Sequence, residues 1–367
     1  MSKARYIMIG GFLGAGKTTA VAALAQRLAD AGQRVGLITN DQGSELVDTA
    51  MLRAKGFSTE EIVGGCFCCR FNTLTDAAKR LTDTTRPDVF IAEPVGSCTD
   101  LVATVTYPLR RIYGDSFTVA PLSVLVDPTR AERVLGLAAG GQFSSKVTYI
   151  YRKQLEEADV LVVTKTDLLA PDRLERLMAA LASNFPNAEV MAVSVHSGAG
   201  LAEWFTKITS AEQTSRATMQ VDYELYAEGE ALLGWLNATI QVRGQTPFDA
   251  DTILKGIAGE MQRTLAGEIA HLKMTLSPDT GLGDVAAINL VRSDFVPELS
   301  LRLEEPIDSA QVILNCRAEC PPDAIRDALN SAVIAIQRDG ITAKIEHLEF
   351  FRPGKPEPTH RDHIAHV

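Results

Sequence analysis

An α/β fold with a mostly parallel sheet covered by helices, followed by a smaller α+β domain, is what this sequence predicts. Three observations predict it. A glycine-rich loop joins an apolar strand to a helix, short apolar strands alternate with helical segments over residues 1–208, and the order of elements changes beyond a polar stretch near residues 209–221. Strands that alternate with helices pair in parallel and are covered on both faces.

Tyr6–Gly10 is the first apolar strand, and Thr18–Ala31 has helical apolar spacing at Val21, Leu24, Ala25 and Leu28, closed by Gly32. Further buried strands are predicted at Arg34–Thr39, Val89–Ala92, Leu122–Val126, Val160–Val163 and Val190–Val193. Helices are predicted over Asn72–Thr84, Ser144–Ala158 and Asp172–Asn184. In such sheets ligands gather at the carboxyl ends of the strands, where the polar motifs of this chain fall. A linker over 209–222 leads to a second domain over 223–352. Its strands are Leu233–Val242, Ile269–Leu276, Val285–Val291, Ala310–Cys316 and Ala343–Phe350, and its helices Ala250–Ala266 and Pro322–Arg338, as in a ferredoxin-like sheet. The proline-rich run Arg352–Pro358 opens a flexible tail over 353–367.

Composition narrows the function. With 46 acidic against 36 basic residues the net charge is −10, which argues against a nucleic-acid surface. No apolar run approaches the roughly 20 residues needed to span a bilayer. A cleavable signal over Met1–Gly10 would remove the strand that carries the glycine-rich loop, so the chain reads as cytoplasmic, with no membrane partner. Three of the six cysteines lie within four positions, a pattern of metal or redox chemistry rather than disulfides.

Gly11-Phe12-Leu13-Gly14-Ala15-Gly16-Lys17-Thr18 is a phosphate-binding loop, the mark of a P-loop nucleoside triphosphatase domain. Gly11, Gly14, Ala15 and Gly16 turn backbone N–H groups inward, Lys17 reaches the β and γ phosphates, and Thr18, with Thr19 beside it, serves Mg²⁺ and phosphate. Thr164-Lys165-Thr166-Asp167 ends a strand, where Asp167 can accept from guanine N1 and its amine while the Lys165 stem covers the base; Ser194 closes the next strand in support. The partner nucleotides are thus GTP and GDP. Near the γ phosphate, Glu93 is the first acidic candidate for Mg²⁺ or the attacking water, then Asp41, then Asp127; the Gly96 N–H can sense the phosphate.

Cys66-x-Cys68-Cys69 places three soft thiolates within one turn of chain, a donor set for Zn²⁺, Co²⁺ or Cu⁺ rather than for Mg²⁺ or Ca²⁺. Three ligands leave a fourth position open, which suits transfer. Cys98, Cys316 and Cys320 read as structural, as do His196, His271 and His347 beside apolar strands. His360, His363 and His366 form an i, i+3, i+6 set in the proline-led tail, an auxiliary metal-capturing element at most.

The glycine loop, then Gly-Cys-x-Cys-Cys, then Glu93-Pro94-x-Gly96, then Thr164-Lys165-x-Asp167 together resemble the CobW family, relatives of the urease and hydrogenase nickel-insertion GTPases. The resemblance covers roughly residues 1–200. It implies a GTPase that couples nucleotide to delivery of zinc or cobalt to a client protein, with Cys66, Cys68 and Cys69 as the transfer site, Lys17 and Thr18 on phosphate and Mg²⁺, and a homodimer. An accessory role for a corrinoid enzyme also falls within it. Two features depart from the family: Asn40-Asp41-Gln42-Gly43 has a shorter acid and no aromatic where Asn-Glu-Phe-Gly is common, and no histidine-rich insert separates the domains. An ATP-dependent maturation ATPase or kinase, and a passive zinc store, are the competing readings of the same motifs.

Overall fold

The computed structural model describes residues 3–41, 47–280, 284–338 and 340–363. In chain order the first elements are β1 (Ala4–Gly11), α1 (Lys17–Asp30), β2 (Val35–Asn40), α2 (Val47–Ala54), β3 (Ser58–Ile62), α3 (Phe71–Thr84) and β4 (Val89–Glu93). A π-helical turn (Val102–Thr106) leads into α4 (Tyr107–Tyr113), then β5 (Phe117–Val119), β6 (Ser123–Val126), α5 (Pro128–Val134) and α6 (Ser145–Glu157). There follow β7 (Val160–Val163), a 3₁₀ turn (Thr166–Leu168), α7 (Pro171–Asn184), β8 (Glu189–Ala192), α8 (Leu201–Ser210) and α9 (Tyr223–Leu232). The remaining elements are β9 (Gly234–Phe248), α10 (Ala250–Thr264), β10 (Ile269–Pro278), β11 (Ala286–Leu290), β12 (Glu298–Leu301), β13 (Ile307–Ala318), α11 (Pro322–Ile336) and β14 (Ile341–Phe351).

The chain divides into two compact units, and each is described by itself. The first takes in residues up to 42, 57–227 and the end of the chain from Lys355. Its sheet runs β3-β2-β4-β1-β6-β7-β8, with β5 also pairing β1, and every pairing is parallel. Strands buried on both faces read as unbroken apolar runs, which is why Ile7, Ile91, Leu125 and Leu161 were legible as strands; each is fully buried. The edge strand β3 was not, because Ser58-Thr59-Glu60-Glu61 is polar and half exposed. Four of the five residues of Val102–Thr106 are β-branched, yet the stretch folds as a helical turn with its residues all buried, so tertiary packing overrides their strand preference.

The second unit contains α2 and residues 228–354. Its six strands run β12-β11-β10-β13-β9-β14, all antiparallel. Within it β9-α10-β10 and β13-α11-β14 form a β-α-β-β-α-β unit of ferredoxin-like order, extended at one edge by β11 and β12. Leu236, Ile240, Leu272, Leu314, Ile253, Leu254 and Leu329 fill the core between sheet and helices. Helix α2 belongs to this unit although it follows β2 in the chain: the Asp48 carboxylate meets Lys273 Nζ at 2.6 Å, and Val47 N–H donates to Asn315 Oδ1 at 2.9 Å.

Two segments differ from expectation. Residues 211–222, read as a linker, lie on the first unit, where Gln213 N–H donates to Val119 O and the Arg216 guanidinium bonds the carbonyls of Glu157 and Ala158. The described part of the 353–367 tail is docked as well. Its prolines keep it extended, which leaves its backbone N–H groups and charged side chains free to bond the first unit. Arg361 pairs with Asp100 at 2.7 Å and Asp362 with Arg111 at 2.8 Å. Among the described residues, no helix is long and apolar enough to cross a membrane.

Candidate functional site

The phosphate loop leaves β1 through Gly11, whose φ of 131° and a would-be Cβ only 2.6 Å from the Leu125 carbonyl admit glycine alone. Gly16 then starts α1 in a left-handed conformation. Lys17 and Thr18, the first residues of the helix, are buried; Lys17 Nζ donates to Gly11 O at 2.9 Å and Phe12 O at 3.4 Å. The Thr18 hydroxyl donates to Glu93 Oε1 at 3.0 Å, so strand β4 ends with its carboxylate at the loop's threonine. Thr19 faces outward. Gly96 lies against Leu13: a Cβ there would be 2.6 Å from Leu13 Cδ2 and 3.0 Å from Leu13 N, so the loop after β4 rests on the phosphate loop.

The Thr164–Asp167 segment is fixed to the same loop. Thr164 Oγ1 donates to Ala15 O at 3.0 Å and Lys165 Nζ to Gly14 O at 2.9 Å. Lys165 has φ 54°, an uncommon backbone for a lysine, and its ammonium also pairs with Asp127 at 2.8 Å. Asp127 caps α5 by accepting from Arg130 N–H; burial works to raise its pKa, but the charges of Lys165 and Arg130 prevail and hold the carboxyl below its ordinary value. Ser194 Oγ donates to Asp167 Oδ1 at 2.5 Å and takes Ser197 N–H at 3.0 Å, which fixes the carboxylate's rotamer. The sequence-predicted residues thus converge in two groups, Lys17–Thr18–Glu93–Gly96 and Thr164–Lys165–Asp167–Ser194. Asp41 follows β2, with its N–H on Ile62 O at 3.1 Å, while Gln42 and Gly43 lie outside the described residues.

Cys66, Cys68 and Cys69 have their sulfurs within 4.8 Å of one another. The separations are 2.7 Å for Cys66–Cys68, 3.2 Å for Cys66–Cys69 and 3.7 Å for Cys68–Cys69. Asn40, the last residue of β2, holds their loop: its Nδ2 donates to Ile62 O at 3.0 Å and Gly65 O at 2.7 Å, and its Oδ1 accepts from Phe67 N–H at 2.8 Å. The docked tail crosses the cluster, Thr359 N–H donating to Cys68 O at 2.9 Å and Glu357 N–H to Cys69 Sγ at 3.2 Å. His360 stacks edge-on against Phe71, and His363 Nδ1 meets Arg361; neither joins the thiol group, and His366 lies outside the described residues.

Cys98, read as structural, is buried, and its carbonyl accepts from Gln154 Nε2 at 2.7 Å; the close thiol group is Cys66, Cys68 and Cys69. Cys316 and Cys320 are in the second unit, where burial pushes their thiols up to about 12 and about 11. Within the cluster, hydrogen bonds from Cys68, Cys69 and Cys98 hold the Cys66 thiol well below its ordinary value, against burial, and Cys68 is pushed well above it as donor to Cys66.

A phosphate loop after β1, a lysine–aspartate motif after β7 and a thiol cluster after β3 of one parallel sheet define a P-loop nucleotide-binding domain of the GTPase type. The chain belongs to the CobW/HypB/UreG family, whose nucleotide-binding domain matches residues 5–192, just over half of its 367 residues. It is 33% identical over 181 residues to the zinc chaperone CobW of a Sinorhizobium species, covering 44% of this chain and 51% of that one. It is 28% identical over 180 residues to the zinc chaperone YeiR of Escherichia coli, covering 46% and 49%. The chain thus spans about half the length of the curated relatives it matches. The Zn(II)-bound YjiA GTPase of E. coli aligns over 90% of this chain and 99% of that one at 17% identity and a TM-score of 0.35, too loose a likeness to carry function.

Proposed function

We propose that the protein is a GTP-binding, GTP-hydrolysing metallochaperone that takes zinc, or cobalt of similar ligand preference, at Cys66, Cys68 and Cys69 and passes it to a metal-requiring client in the cytoplasm. The observation that supports this most is the position of Asn40. It terminates β2 beside the phosphate-facing edge and holds the thiol loop by three hydrogen bonds, so a change at that strand end reaches the thiols.

Lys17, freed from the Gly11 and Phe12 carbonyls, reaches the β and γ phosphates, while the backbone N–H groups of Gly14, Ala15 and Gly16 bind the remaining oxygens. Thr18 and Glu93 form a buried pair of hard oxygen donors that fits Mg²⁺, which when bound neutralises charge on the triphosphate. Glu93 orients the attacking water, and Gly96 N–H senses the γ phosphate. Asp167, held by Ser194, accepts two hydrogen bonds from guanine that adenine cannot offer, and Lys165 covers the base. Thiols lose their protons when they bind zinc, and the neighbouring thiols that lower the pKa of Cys66 favour that loss there.

The test is zinc transfer from the loaded protein to a chromogenic chelator, with GTP, a non-hydrolysable GTP analogue, GDP or no nucleotide present. Release that depends on the nucleotide, and is outcompeted by GTP and GDP but not by ATP, is the expected result. Equal release in all four conditions would leave a passive zinc store as the better account, and competition by ATP would remove the guanine assignment.

A further inference from the structure

One side of α6 meets both the phosphate loop and the turn after β4. Tyr151, Gln154 and Glu157 follow one another at intervals of three along the helix, and all three are buried. The Tyr151 ring stands edge-on to Phe12 of the phosphate loop, with centroids 5.5 Å apart. Gln154 Nε2 donates to Gly96 O at 2.9 Å and to Cys98 O at 2.7 Å. Glu157 accepts from Thr99 Oγ1 and Val102 N–H, each at 3.2 Å. Cys98 N–H closes the turn on Val95 O at 3.0 Å, and Gly96 packs on Leu13, the neighbour of Phe12. Helix, turn and phosphate loop thus touch one another pairwise.

We propose that Gln154 is a positioning residue for GTP hydrolysis: from α6 it fixes two carbonyls of the Val95–Cys98 turn and so sets where the Gly96 N–H stands over the phosphate loop. This rests on the GTPase reading above and on its assignment of Gly96 to the γ phosphate.

The peptide planes explain how a side chain on α6 can act on that N–H. Val95 O shares a plane with the Gly96 N–H, and Gly96 O lies in the plane that follows. Cys98 N–H holds the first and Gln154 holds the second, so both planes flanking Gly96 are fixed. Two carbonyls facing one amide also fix the amide, because only its NH₂ end serves both. The other end shows what this hold costs: Gln154 Oε1 is buried and has no hydrogen-bond partner among the described residues. An orphaned buried acceptor costs about 1–3 kcal/mol, and a side chain that only filled space here would be apolar and free of that penalty. The two donated bonds go to the turn, whereas nucleotide affinity comes from Lys17, the phosphate-loop N–H groups and Asp167. Gln154 therefore acts on the hydrolytic step rather than on binding.

The experiment measures GTP turnover by phosphate release, and GDP affinity, for the full chain with Mg²⁺ as wild type, Gln154→Met, Gln154→Glu and Lys17→Ala. Methionine keeps the length and the packing but donates nothing, so kcat is expected to fall about 10–100-fold, a misplacement effect. GDP affinity should stay within about twofold, since GDP has no γ phosphate for Gly96 to meet. Gln154→Glu turns an oxygen toward two carbonyls, and its kcat should fall further. Amide exchange over residues 95–99 of the wild type needs no variant to fold: protection is expected both without nucleotide and with a non-hydrolysable GTP analogue. An unchanged kcat, a kcat that falls only in step with GDP affinity, or exchange that becomes fast in the analogue-bound form overturns the proposal. In each case loss of turnover in Lys17→Ala keeps the GTPase reading. Wild-type turnover no higher than that of Lys17→Ala overturns both.

Discussion

The phosphate loop follows β1 and the thiol cluster follows β3 of one sheet, with β4 and β2 between them, and the two are assembled in opposite ways. The phosphate loop is contiguous: Gly11 to Thr18 supplies its own turn, its own helix start and its own lysine, which rests on the loop's carbonyls. The cluster is gathered from separate parts of the chain, Asn40, Cys66–Cys69 and Glu357–Thr359. A loop that carries its own contacts has one low-energy shape, whereas a site closed by remote segments moves when any of them moves. The difference assigns a fixed task to the first and an adjustable one to the second.

Lys17→Ala is the largest test of this separation. Removing the one cation of the phosphate loop is expected to lower GTP hydrolysis about 10²–10³-fold in a phosphate-release assay. Nucleotide-free protein should keep its Co²⁺ spectrum, because Lys17 Nζ donates to the Gly11 and Phe12 carbonyls of its own loop. A variant that loses Co²⁺ as well would show that the two regions are one folding unit rather than two coupled parts. Asn40→Ala attacks the other region. It leaves Ile62 O, Gly65 O and Phe67 N–H without their side-chain partner, at a cost of about 2–4 kcal/mol read as a fall in unfolding free energy, with weaker metal binding. No change in either quantity would mean that the thiol loop is held by something else.

The same contrast governs what the sequence discloses. The phosphate loop, Glu93, Asp167 and Ser194 are legible because each lies in a short motif at a strand end, and parallel topology brings strand ends together. The three thiols are legible from spacing alone. Asn40 is not legible as their support, since it stands apart from them along the chain and only the pairing of β2 with β3 carries its side chain to their loop. The docked tail was missed because prolines indicate an extended chain, not what the chain lies on. The membership of α2 in the second unit was illegible for a similar reason, since its ion pair to Lys273 joins residues 225 apart in sequence.

A pH experiment sharpens the comparison beneath the Cys98 loop. Glu157 is buried there, accepting from Thr99 Oγ1 and Val102 N–H at 3.2 Å, and burial first, then the neighbouring Asp100 carboxylate, pushes its pKa from 4.5 up to about 8. Asp100 itself faces the Tyr223 hydroxyl and Arg361. A raised carboxyl pKa means the folded chain keeps a proton that the unfolded chain releases. This contribution is complete below about pH 4.5 and is lost as pH rises through about 8. Melting temperature measured across that window should therefore fall with pH in the wild type and fall less in Glu157→Gln. Parallel curves for the two proteins would assign the slope to other groups.

The smallest expected effect belongs to the tail, and it separates cover from support. The Thr359 hydroxyl donates to Cys69 O at 3.1 Å at an exposed edge of the cluster, while its backbone N–H holds Cys68 O. Thr359→Val removes the first bond and leaves the second, a loss of about 0.5–1.5 kcal/mol. If the tail is a cover that opens locally, this loss appears as about two- to tenfold faster labelling of Cys69 by a thiol reagent, with global unfolding unmoved. If the tail instead supports the cluster's shape, the global melting temperature falls and labelling follows it. The first outcome fits a site whose thiols are reached from outside through a segment that the sheet does not hold, which the phosphate loop, closed by its own backbone, does not require.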